Sequence, residues 1–162
     1  EQEAMRTVQT TRSAQKGVGL IEVLVAAVIF GIGLLGLAGL QTRSLQMNQS
    51  SHFRSQANYY AYEIVDAMRL NSQAAENGQY NIGMGDDPPG AGSIPNETVS
   101  RWIRGIRAAL PMDDGGGNTG GSVQVNQTAN GTDVTVVVAW LDERWSENDA
   151  DKVQNVTVQT EL

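Results

Sequence analysis

Hydrophobic and polar positions divide the chain into four stretches. Residues 1–17 are polar and short. From Val18 to Leu40 there follow 23 residues, of which 17 are apolar, five are glycine and one, Glu22, is charged. At about 1.5 Å rise per residue a helix of that length reaches roughly 35 Å, enough to cross a hydrocarbon core of about 30 Å. Beyond it, residues 41–77 keep a helical period in a polar setting. Phe53, Ala57, Tyr60, Ala61, Ile64 and Met68 recur at i, i+4, i+7, i+8, i+11 and i+15, one stripe of a helix. Asn77-Gly78 is a stop signal, so the pattern predicts one spine from about Val18 to Glu76, apolar all round and then amphipathic.

Residues 78–162 change character. The run from Gly78 to Pro95 is rich in glycine, proline and aspartate without period and predicts a surface loop open to contact with other chains. A short helix follows, capped by Ser93 or Asn96, with Pro95 in its first turn and Pro111 at its end. Trp102, Ile103, Ile106, Ala109 and Leu110 form its apolar face, and Arg101, Arg104 and Arg107 line another. After a glycine-rich loop come three alternating segments: Ser122–Thr128, Thr132–Leu141 and Val153–Leu162. Ala129-Asn130-Gly131 marks a hairpin between the first two. Val134, Val136, Val138 and Trp140 share one face, predicted to pack on the second half of the spine and on the short helix and to bury Trp102 and Trp140. The expected class is α+β: a long N-terminal helix against a small antiparallel sheet.

Charge adds direction. The leader carries Arg6, Arg12 and Lys16 and no acid between Ala4 and Lys16, which predicts a cytoplasmic N-terminus and a head across the membrane. Met5 is an expected natural start, with residues 1–4 ahead of it. Without residues 1–17 the chain keeps 8 basic and 16 acidic side chains, a surface that repels nucleic acid. There is no cysteine, so the sheet must hold by packing alone. One histidine, no serine placed with a base and no carboxylate pair in a predicted pocket argue against an enzyme. No cofactor is implied: the loop from Met112 to Gly121 lacks the Lys-Ser/Thr ending of a phosphate loop. The acidic loop with Glu143, Glu147, Asp149 and Asp151 offers oxygen ligands but lacks the spacing and the glycine of an EF-hand, so no metal is expected there.

Glu22 is the residue that needs a purpose, because a carboxylate in hydrocarbon costs on the order of 3 kcal/mol. A secretory signal peptide ends in a small-residue cleavage site beyond its apolar run, and none follows Leu40. On the near side, Gly17, Val18, Gly19, Leu20, Ile21 and Glu22 resemble the processing site of type IV prepilins: a glycine, the cut, then an apolar run with glutamate at its fifth position. The resemblance implies a type IV pilin-like fold. It also implies cleavage between Gly17 and Val18 by prepilin peptidase, N-methylation of Val18, and a role for Glu22 in assembly. In a helix Val18 and Glu22 stand at i and i+4 on one face, so the new amine and the carboxylate form a matched pair, taken in the family to meet between neighbouring subunits. The run from Ile21 to Gln46, the run from Arg54 to Asn71, the tryptophan helix ending in Leu110-Pro111 and the strand from Val136 to Trp140 resemble minor pilins of the PilV type. That resemblance implies a structural subunit of the type IV pilus that primes assembly and sits in the tip complex. The implied partners are other minor and major pilins, prepilin peptidase and a tip adhesin. The implied location is the inner membrane, crossed once, and then the fibre at the cell surface. A type II secretion pseudopilin and a signal-anchored periplasmic binding domain are the alternatives.

Overall fold

The computed structural model describes residues 19–113, 117–129, 131–142 and 152–162. The leader, Val18, Asn130 and the acidic loop from Glu143 to Asp151 lie outside the described residues. The chain forms two compact units, Glu1–Arg43 and Ser44–Leu162. Its elements, in order, are α1 (Leu20–Leu70), α2 (Ser72–Glu76), α3 (Ile94–Ala109), β1 (Gly120–Thr128), β2 (Gly131–Leu141) and β3 (Val153–Glu161).

In the second unit the helical stripe read from the sequence is the one that is buried. Ala57, Ala61, Ile64, Val65 and Met68 of α1 enter the core, with Phe53 and Tyr60 partly buried beside them. Helix and sheet pack as an α+β arrangement: β1, β2 and β3 form one antiparallel sheet in sequence order, and Val134, Val136, Val138 and Trp140 turn inward from its middle strand. Thr128 stands opposite Gly131, which fixes a two-residue connection between β1 and β2.

The spine differs from its expected course. The helix does not continue to Glu76; it stops at Leu70, and Asn71 has φ −136° and ψ 59°. The Asn71 N–H bonds to the carbonyl of Met68, three residues back, instead of one four back. A tightened last turn of this kind ends an α-helix. The chain bends, and the short α2 puts Ala74 and Ala75 into the core.

Trp102 locks α3 in place. Its indole is 1% exposed and donates from Nε1 to the Tyr60 carbonyl at 2.8 Å, tying α3 to α1. Two glycines set how closely the layers approach. A Cβ built on Gly105 would lie 2.9 Å from Cε1 of Tyr60, and one on Gly121 of β1 would lie 2.6 Å from Cζ3 of Trp102. At the start of α3, Ser93 is the cap. Its Oγ accepts from the Asn96 N–H at 3.3 Å, and Pro95 stands in the first turn, where its missing N–H costs nothing. Ser93→Ala is expected to cost about 1 kcal/mol, read as a lower denaturant midpoint of the full chain in detergent.

Part of the expected surface loop proves structural. Tyr80 is 1% exposed, and Ile82 exchanges backbone bonds with Val123 of β1 at 3.0 and 3.1 Å. The remainder, through Asp86 and Asp87, stays near the surface, where Arg107 donates to the Asp86 carbonyl at 2.9 Å and faces Asp87 at 3.5 Å.

Candidate functional site

The first unit is described from Gly19, whose carbonyl accepts the first helical bonds, from the N–H of Glu22 at 2.9 Å and of Val23 at 3.3 Å. Glu22 therefore sits in the first turn of α1. Four N–H groups at a helix start lack intrahelical partners and leave partial positive charge there, which favours a carboxylate at this position. Around it the helix is uncovered: Leu20, Ile21, Leu24, Ile29, Phe30 and Leu35 are among thirteen large apolar side chains exposed between residues 20 and 40. The segment is long and apolar enough to cross a membrane, and none of its most apolar stretch is buried. Beside Gly31, Gly33, Gly36 and Gly39 a Cβ would meet nothing within 4 Å, so no contact among the described residues requires these glycines. Gly17 and Val18 lie outside the described residues.

Two clefts of the head are lined by described residues. One, of about 600 Å³ between α1 and α3, is lined by Tyr59, Tyr62, Ile64, Leu70, Arg101 and Trp102 among others. The other, of about 480 Å³, lies among Pro89, Glu97, Ser100, Arg101 and Arg104. In the second, the Ser100 hydroxyl donates to the Pro89 carbonyl. His52 is exposed, with its Nε2 2.9 Å from Nε2 of Gln56 on the same helix and its ring tilted against that of Phe53. Among the described residues no group of three or more acidic or histidine side chains is placed to hold a metal. The acidic residues considered for calcium lie outside them.

The chemistry therefore concentrates at the start of α1, and comparison with known proteins points to the same place. Residues 12–38 match the family described as the prokaryotic N-terminal methylation motif. The chain carries a prepilin signal. This is the signal of type IV pilins and pseudopilins, a superfamily of structural proteins. It implies processing by prepilin peptidase and assembly with other pilins, and with the apolar helix it fits anchoring in a membrane before assembly. No curated protein and no solved structure matches the chain. The long helix against a three-stranded antiparallel sheet is consistent with a pilin-like fold.

Proposed function

We propose that this prepilin is a minor pilin of the type IV pilus, a structural subunit that takes part in priming assembly and in the tip complex. The observation that carries the reading is a carboxylate in the first turn of a wholly exposed apolar helix, directly after the glycine of the matched motif. Peptidase cuts between Gly17 and Val18 and leaves a methylated amine on Val18. That amine is four residues before Glu22 in the sequence, and in a neighbouring subunit it offers the carboxylate its counter-charge. Before assembly the apolar segment crosses the inner membrane with the basic leader in the cytoplasm and the head in the periplasm. Afterwards it lies in the fibre core against other minor and major pilins, and the head meets the tip adhesin. The loose resemblance of the head to PilV-type minor pilins supports the finer assignment.

The test is the N-terminal residue of the membrane-extracted protein, measured by mass spectrometry with and without prepilin peptidase. A methylated Val18 that depends on the peptidase is expected. An intact leader in both strains would sink the proposal and leave a signal-anchored domain. Gly17→Val is expected to keep all 17 leader residues attached in the presence of active peptidase, seen as the unprocessed mass. Loss of twitching on deletion, with secretion intact, separates a pilus subunit from a secretion pseudopilin.

A further inference from the structure

Beyond Met47, the large apolar side chains left exposed among the described residues are Tyr59, Tyr62, Leu70 and Ile94. The first three line the cleft of about 600 Å³ between α1 and α3. On α1, Tyr62, Glu63, Asp66 and Leu70 follow Tyr59 at i+3, i+4, i+7 and i+11, along one face. On α3, Thr98 and Arg101 border the cleft from the other side, and Ile94 shares their face at i, i+4 and i+7. Single exposed apolar residues are ordinary, whereas a gathered patch between polar rims marks a contact surface.

The two rims of this cleft are oppositely charged. α1 supplies Glu63 and Asp66, and α3 supplies Arg101. Asp66 is already paired with Arg69 of its own helix, 3.4 Å away. Glu63 and Arg101 line the same cleft, yet neither forms an ion pair or hydrogen bond among the described residues. Arg107, on the same helix as Arg101, shows the contrast: it donates to the Asp86 carbonyl and faces Asp87. A half-buried carboxylate and an exposed guanidinium are left over, one on each side of an apolar floor. Tyrosine and arginine are also the side chains that most often anchor protein contacts.

The charge pattern selects the occupant. A surface that suits this cleft carries apolar rings between a base and an acid, in the reverse order. The chain itself has that surface. Under a two-fold axis through the cleft, Glu63 of each copy meets Arg101 of the other, and the tyrosines meet between them. A uniformly acidic partner would satisfy Arg101 and repel Glu63, and a uniformly basic one would do the opposite.

We propose that the cleft between α1 and α3 is the contact surface of a two-fold homodimer of this chain. Two Glu63–Arg101 ion pairs close it around Tyr59, Tyr62 and Leu70. The contact goes beyond the proposed function and involves the head alone, so it is the same for a pilus subunit and for a secretion pseudopilin.

The chain has no cysteine, so a single introduced thiol reports only on contact with another molecule. Glu63→Cys and Arg101→Cys, carried by separate full-length copies in one membrane, are expected to be joined by a short bis-maleimide into a product of twice the chain mass. The other Glu63–Arg101 pair of that dimer stays intact, and either variant alone should cross-link far less. Arg101→Glu is expected to weaken self-association of the full chain in detergent about tenfold, read by sedimentation equilibrium. Adding Glu63→Arg to it exchanges the two rims and should restore the dimer, which separates a lost contact from a lost fold. Tyr62→Ser, which keeps both charges, should weaken it as well. A monomeric wild-type chain, or a cross-linked product that always contains a different protein, would overturn the proposal. So would a dimer that Arg101→Glu leaves unchanged, since the apolar helix would then be what holds it. The N-terminal residue measured on the same sample reports separately on processing as a pilin.

Discussion

Glu22→Ala is expected to empty sheared fibres of this subunit while its amount in the membrane stays the same or rises. A carboxylate in the apolar segment opposes insertion by on the order of 3 kcal/mol, so its removal favours the membrane-held state. On the proposed function, what it takes away is the counter-charge for an amine at Val18. In a low-dielectric fibre core an unpaired ammonium is far more costly than in water, and a paired one is held strongly. The effect should therefore fall on assembly alone. Quantitative blotting of membrane and fibre fractions against the wild type measures it. Glu22→Asp, which keeps the charge but shortens the reach by one methylene, should retain part of the incorporation. Wild-type incorporation of the alanine variant would remove the assembly role assigned to this carboxylate.

The second large effect lies in the head. Gly121→Val should lower its melting temperature severely, because the side chain would occupy the place of the Trp102 ring and of Cδ1 of Ile106, 2.9 Å from an added Cβ. The indole cannot retreat without giving up its bond to the Tyr60 carbonyl, and Ile106 is fully buried. Overpacking of this kind costs typically about 1–3 kcal/mol, and valine belongs at or beyond the upper end. For a unit of this size each kcal/mol shifts the midpoint by roughly 3–6 °C, so a fall of about 10–15 °C is expected. Trp102→Leu alone removes packing and a hydrogen bond and should also destabilise, by several kcal/mol. Combined with Gly121→Val it should cost less than the two effects added, since each change makes room for the other. Strict additivity in circular-dichroism melts would show that the two residues do not share one space.

Much of the fold was legible because periodicity and burial agree. The stripe from Phe53 to Met68, the alternation of Val134, Val136, Val138 and Trp140, and the tryptophan face of α3 each repeat an apolar position at the spacing of their element, and each is where the core lies. Tyr80 and Ile82 were hidden by their setting. Two apolar residues among glycines, asparagines and prolines make no period, and what buries them is the Ile82–Val123 bridge across 41 positions of sequence. The stop at Asn71 was missed for a related reason. Asparagine carries only a modest helix penalty, and the bend depends on Ala74 and Ala75 finding the core. The candidate site was legible in its residue types, since a lone carboxylate in a long apolar run is anomalous on energetic grounds.

The hydrogen bonds from Ser50 to Asp142 and from Arg69 to Thr160 each join residues more than 90 positions apart. Their consequence is one of timing. The anchor end of α1 leaves the ribosome and enters the membrane long before β2 and β3 exist to cover its second half. Until they do, that half waits with its stripe bare, and contacts of such long sequence separation form slowly. Alanine at positions 57 and 61, in place of leucine, keeps the waiting surface only weakly adhesive. The small side chains buried in the finished core are thus also the ones that least expose the unfinished chain to sticking.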